Sequence, residues 1–147
     1  MKRLLVPIIL LLVIIGGSYS YLSTQQFTNY PRKQAKLGSH QLTLIITDTQ
    51  QRKVTGLSGS KPLRDYEGML FQFPAPGRYG FWMKDMAYAL DFIYLRNNIV
   101  VEVKENVSPS SFPDIIIPEK EFNAAIEVGA GAVSKKKIRI GDKLVYN

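Results

Sequence analysis

Cysteine is absent from these 147 residues, and histidine occurs once, at His40. Without cysteine there is no disulfide framework, no thiolate metal site, no cysteine nucleophile and no lipidated N-terminal cysteine. With one histidine, next to a polar stretch, neither a Ser-His-Asp triad nor a histidine zinc site can be assembled. The glycine patterns are equally unproductive. Gly129-Ala130-Gly131 lacks the third glycine and the strand–helix–strand setting of a dinucleotide site. Gly56-Leu57-Ser58-Gly59-Ser60 lacks the Gly-x-Ser-x-Gly spacing of a nucleophile elbow. There is no internal repeat, and no nucleic-acid-binding motif accompanies the net charge of +7. No metal, cofactor or nucleic acid is expected, and the equipment of an enzyme is sparse.

What is present starts at the N-terminus. Lys2 and Arg3 precede an apolar run from Leu4 to Ile15 interrupted only by Pro7. A short cationic region followed by about 7–15 apolar residues is the layout of a signal sequence. Gly16, Gly17, Ser18 and Ser20 supply small residues for cleavage. The alternative is an uncleaved helix reaching Leu22, since a span needs about 20 residues. Residues 1–22 are therefore expected to be a signal peptide or an N-terminal membrane anchor. The chain would then be membrane-anchored or secreted, with its domain on the extracytoplasmic side. Residues 23–39, which include Arg32, Lys33 and Lys36, read as a polar basic tether. A second basic group, Lys135, Lys136, Lys137 and Arg139, reads as solvated surface.

Residues 40–147 are expected to form a single mainly-β domain, a compact small barrel or sandwich of short antiparallel strands with one or two short helices. Leu42, Leu44 and Ile46 alternate with Gln41, Thr43 and Thr47 and predict a strand. Thr49 to Gly56 predicts a short helix capped by Asp48. Met69 to Phe73 predicts a strand ended by Pro74-Ala75-Pro76-Gly77, and Tyr79 to Met83 another. Leu90–Leu95 and Ile99–Val103 flank Arg96-Asn97-Asn98, a hairpin signal because asparagine tolerates positive φ. The prolines between Val107 and Pro118 predict a long loop with at most an edge strand at Ile115–Ile117. Ala124–Val128 and Lys143–Tyr146 complete the strands, with Gly141-Asp142 as the turn before the last.

The order Gly56-Leu57, Arg64, Gly68-Met69-Leu70-Phe71-Gln72-Phe73, Phe81-Trp82-Met83-Lys84 and Leu90-Asp91 resembles the domain-of-unknown-function 192 family of bacterial and archaeal proteins. Ala124 to Gly131, with Glu127 inside it, and Gly141-Asp142 match that family's later landmarks. The resemblance implies a small β-rich fold, frequent export or membrane attachment, and no established activity. Two departures stand out: Ser58 replaces the usual methionine, and Asp85-Met86 the usual Asn-Thr.

Asp91 sits in a strand with apolar residues on both faces, so its carboxylate is expected to be partly buried and paired, with Arg64 or Lys84 as partner. Trp82, pointing away from Phe81 and Met83, is either a core residue or, with Tyr66, Tyr79 and Tyr88, an aromatic platform for a sugar ring. Glu127, between Ile126 and Val128, is either a structural carboxylate accepting backbone or lysine hydrogen bonds or a second acid beside Asp91. Three functions follow. The first is a non-enzymatic binding or accessory module of the cell envelope, with Arg64, Trp82, Lys84 and Asp91 as its ligand-binding surface for an anionic or sugar-containing ligand. The second is a hydrolase of an envelope polymer with Asp91 and Glu127 as catalytic pair. The third is a purely structural domain.

Overall fold

The structure, a computed structural model, describes residues 27–147. The expected signal peptide or anchor lies outside these residues. Among the described residues no helix is long and apolar enough to cross a membrane. The elements are β1 (Arg32–Leu37), β2 (His40–Thr47), α1 (Gln50–Thr55), β3 (Glu67–Gly77), β4 (Leu90–Arg96), β5 (Ile99–Val107), a 3-10 turn (Pro109–Ser111), β6 (Phe122–Gly129), α2 (Ala132–Lys135) and β7 (Leu144–Tyr146).

The seven strands form one sheet in the order β5-β4-β6-β3-β2-β1-β7. It curls into a half-barrel whose two edges meet at one end. There Val100 N–H donates to Asp142 O at 2.9 Å, Gly141 N–H to Val100 O at 2.8 Å and Leu144 N–H to Asn98 O at 2.8 Å. The mainly-β expectation holds, with two corrections. The strands are not all antiparallel, because β2 and β3 pair in parallel. The connection from Asp48 to Tyr66 carries α1 across and returns the chain to the same end, as a parallel pair requires. Residues 32–37, expected in the tether, are instead β1, which bridges β2 and β7. Their charges hid an inward pair, Ala35 and Leu37, both fully buried.

Smaller corrections have local causes. Thr49, not Asp48, caps α1, its side chain accepting from Arg52 N–H at 3.2 Å. β3 does not stop at Pro74 but continues to Gly77 across a register shift, where prolines cause no loss of ladder bonds. Residues 79–83 keep the in–out alternation of a strand but pair only once, Phe81 with Ile116. The hairpin at Asn97-Asn98 has positive φ at both residues (51° and 66°), as its sequence predicts.

Two cores lie on opposite faces of the sheet. The first fills the curl with residues from all seven strands, among them Leu37, Leu44, Leu70, Ile93, Val100, Ile126 and Leu144. The second is aromatic, built from Phe71, Phe81, Phe92, Tyr94 and Phe122 and covered by the loops around Leu57, Met83 and Ile116. Central strands β4 and β6 are buried on both faces. Full burial of one such apolar side chain contributes roughly 1.5–3 kcal/mol.

Gly68 is needed for close approach between β3 and β6. A Cβ there would meet Ile126 Cγ2 at 2.8 Å and Val128 Cγ1 at 3.2 Å, both rigid β-branched side chains of the inner core. Gly68→Ala is expected to lower unfolding free energy by about 1–3 kcal/mol through overpacking. Urea melts of the two proteins check this, and equal midpoints would mean that the inner core yields at this point.

Candidate functional site

The register of β4 against β6 decides where the two candidate carboxylates go. Asp91 lies opposite Val128 and Phe92 opposite Glu127. Directly paired residues share a face and successive residues alternate. Asp91 therefore faces the inner core, and Glu127 the aromatic one. The pair proposed for glycosidase-type chemistry is divided by the sheet itself, and Asp91 is fully buried. The two do not flank a common cleft, which removes the basis for the hydrolase reading.

Asp91 is paired, but with neither Arg64 nor Lys84. Its Oδ1 accepts from Asn106 N–H at 2.8 Å and its Oδ2 from Val133 N–H at 3.0 Å. Both donors are backbone groups left over by local geometry. A register shift between Leu90/Val107 and Phe92/Lys104, with φ of 56° at Asn106, turns that N–H out of the ladder. Val133 lies in the first turn of α2, where N–H groups have no intrahelical partner and the N-cap, Gly131, has no side chain to offer. Asp91 thus ties β4 to the β5 bulge and to α2. Its role is structural.

Arg64 and Lys84 are exposed. The Arg64 guanidinium donates to Tyr66 Oη at 2.8 Å, which raises its pKa, and its backbone N–H donates to Glu67. Glu67 in turn holds Arg32 at 2.7 Å. Lys84 contributes its carbonyl, which accepts from Ser58 Oγ at 2.8 Å. The four expected ligand-binding residues do not converge. Of them only Trp82 lines a cavity, the one over Glu127, and at 39% exposure it is not the core residue that its size suggests.

That cavity, about 250 Å³, opens over Glu127. One side is the end of α1 and the turn after it, from Lys53 to Ser58; the other is the segment Tyr79–Trp82 with Met86. Phe71 and Phe73 of β3 also line it, with Gln50 of α1 and Leu90 of β4. Tyr79 stacks on Phe73 with ring centroids 3.9 Å apart, and Phe81 meets Phe71 edge to face at 5.4 Å. Two hydrogen bonds hold the walls together: the one from Ser58 to Lys84, and Gly59 N–H to Asp85 O at 2.8 Å. Ser58, which departs from the family pattern, therefore fixes the width of the cavity mouth with its hydroxyl.

Glu127 is 5% exposed, and no described residue forms an ion pair with it. Its neighbours in the same row are Met69 on β3 and Phe92 on β4. Burial alone pushes its pKa up to about 8, with no hydrogen bond offsetting it. The expectation of backbone or lysine hydrogen bonds to this carboxyl is not met. Tyr88, which shares a 2.5 Å hydrogen bond with Ser60, is raised chiefly by burial and further by Glu127. Tyr94 is likewise raised, by burial first, and its buried hydroxyl has no partner among the described residues. Around neutrality Glu127 is a carboxylic acid at the floor of an aromatic cavity. Its sequence context gave the residue, but Lys53, Phe71, Phe73 and Met86 were missed, because only the strand register and the fold of α1 bring them to it.

A curled β-domain with an acid-floored aromatic cavity is thus the class that the structure defines. The chain matches the DUF192 family, described as uncharacterized ACR, over residues 32–146, and it belongs to that family. Two solved structures share the fold. One, from Sinorhizobium meliloti 1021, is provisionally described as a transcription regulator; it is 24% identical, with a TM-score of 0.75, covering 80% of this chain and 95% of the other. The second, a protein of unknown function from Novosphingobium aromaticivorans DSM 12444, is 23% identical with a TM-score of 0.72, covering 78% and 84%. No curated protein matches.

The Glu127 environment makes stability depend on pH. The folded chain keeps this proton up to about pH 8, whereas the unfolded chain releases it near the ordinary value of 4.5. The contribution is full in acid and is lost as pH rises between those values. Glu127→Gln is therefore expected to be near parity with the wild type at pH 5 and more stable by roughly 2–4 kcal/mol at pH 9. Denaturant melts at the two pH values measure it. Asp91→Asn, by contrast, can offer only one acceptor oxygen to two N–H donors and should lose about 1–3 kcal/mol at both.

Proposed function

We propose that this domain is a non-enzymatic binding module of the cell envelope, and that its ligand occupies the cavity above Glu127. The observation that carries the reading is a buried carboxyl without a hydrogen-bond partner, aimed into an open aromatic cavity. The Glu127 oxygens open to the cavity instead of being sealed in the core, so a ligand that carries a hydrogen-bond donor can reach them. Small-molecule sites combine apolar and aromatic walls with a few convergent polar groups, which is the composition here. At about 250 Å³ the cavity suits a small molecule or one group of a larger one, such as a sugar ring or a side chain.

The chemistry of the floor argues for a ligand with a hydrogen-bond donor and against an anion, since the acid would repel it once ionised. Catalysis is disfavoured by the equipment. Glu127 is the single carboxylate among the described residues that line the cavity, and neither cysteine nor histidine lies on its wall. Location outside the cytoplasm is supported by Lys2 and Arg3 ahead of the apolar run Leu4–Ile15. The membrane is then the first partner, through that segment.

The test is a fragment screen against the full-length, isotope-labelled protein, read by NMR. Expected hits move the Trp82 indole N–H and the amides of Phe71 and Glu127 together, and Trp82→Ala weakens them about tenfold by removing a stacking face. Hits that leave those signals unmoved, or a screen with none, would refute the reading.

A further inference from the structure

We propose that the group bound at the floor of this cavity is an organic ammonium, held between the Glu127 carboxylate and the surrounding aromatic faces. The inference rests on the cavity being a binding site, and it names the ligand class. Three observations carry it. Glu127 offers two oxygens with no hydrogen-bond donor supplied by the described residues, so an incoming group with several N–H donors matches it best. Phe71, Phe73, Tyr79 and Trp82 line the same space, and aromatic faces attract cations. The chain already places one ammonium against this wall: Lys53 Nζ lies over the Phe73 ring, 5.3 Å from its centroid, without an ion-pair partner among the described residues.

The proton balance follows. Free Glu127 is protonated below about pH 8. On binding, the ammonium keeps its own protons and stabilises the carboxylate, so Glu127 releases one proton to solvent. The titratable groups facing Glu127 are Lys53 from α1, Tyr79 and Tyr88 from the loops, and Tyr94 from β4 with Glu102 behind it. On β3 the residues of that row, Met69 and Phe71, do not titrate. Burial raises Tyr88 and Tyr94 further from the range concerned. Among the described residues Lys53 is the one cation at the mouth, and a bound ammonium must displace or tolerate it.

A matched pair of probes isolates the charge: 2-phenylethylammonium and 2-phenylethanol, titrated into the full-length protein by NMR at pH 6, 7, 8 and 9. An alkylammonium stays charged over this range, with a pKa of about 10. The expected result is that the ammonium binds at least about tenfold more tightly than the alcohol at pH 8. Its Kd should fall about tenfold per pH unit from 6 to 8, and then level off. Glu127→Gln should abolish both the preference and the slope while the protein stays folded, and Lys53→Met should tighten the ammonium several-fold. If both probes bind the cavity alike with no pH slope, the ammonium assignment falls and a neutral ligand such as a sugar takes its place, the binding site surviving. If neither probe moves the cavity signals while other fragments do, the assignment again falls alone. If nothing binds there, the site falls with it.

Discussion

Everything in this domain depends on the register between β4 and β6. Both strands are buried on both faces, so each residue along them belongs to one of two cores with no solvent-facing option. Opposing Asp91 to Val128 and Phe92 to Glu127 sends one carboxylate into each core. A slip by a single residue would exchange the faces, placing Glu127 in the inner aliphatic core and Ile126 and Val128 among the aromatics. The shape mismatch this creates, together with an acid stranded from the cavity, makes the observed register the one the sequence can sustain.

The two carboxylates show how environment divides identical chemistry. Asp91 meets two backbone N–H groups that a bulge and a helix start had left unpaired, and its charge is absorbed into the architecture. Glu127 meets none, and its acidity is suppressed by burial instead. One acid stitches three elements together, and the other lies at a surface opening. The same fold that satisfies one carboxylate so fully on one face leaves another, on the opposite face, without a donor among the described residues.

Much of the fold could be read from sequence, because the cues were local. The Asn97-Asn98 hairpin, the end of α1 at Gly56 and the alternation of β2 each rest on a few neighbouring residues. What was misread depended on partners distant in sequence. β1 carries Arg32, Lys33 and Lys36 and resembles a tether until β2 and β7 are placed on either side of it. The sequence leads one to expect Asp91 partly buried and paired; it is paired, and buried completely. Its true partners were backbone amides, which leave no mark in a sequence, so the visible cations Arg64 and Lys84 were named instead. Trp82 and Glu127 were both singled out, but the cavity joining them is assembled from α1, β3 and the Tyr79–Trp82 segment, which only the tertiary fold brings together.

The neighbourhood of β1 and β7 has a topological consequence. The strands pair antiparallel from Ala35–Tyr146 to Leu37–Leu144, and Asn147 N–H donates to Gln34 O at 3.1 Å. The point where the polypeptide enters the sheet and the point where it leaves are therefore adjacent. Strand order in space is fixed, but the place at which the covalent chain is opened is not. A circular permutant joined by a short linker from Asn147 to Arg32 and opened on the Arg96 side of the Asn97-Asn98 turn, which keeps the Asn98 carbonyl on Leu144, would trace the same sheet. Whatever is attached beyond Asn147 would also emerge beside whatever precedes β1, so two fusion partners would be held next to each other by the domain between them.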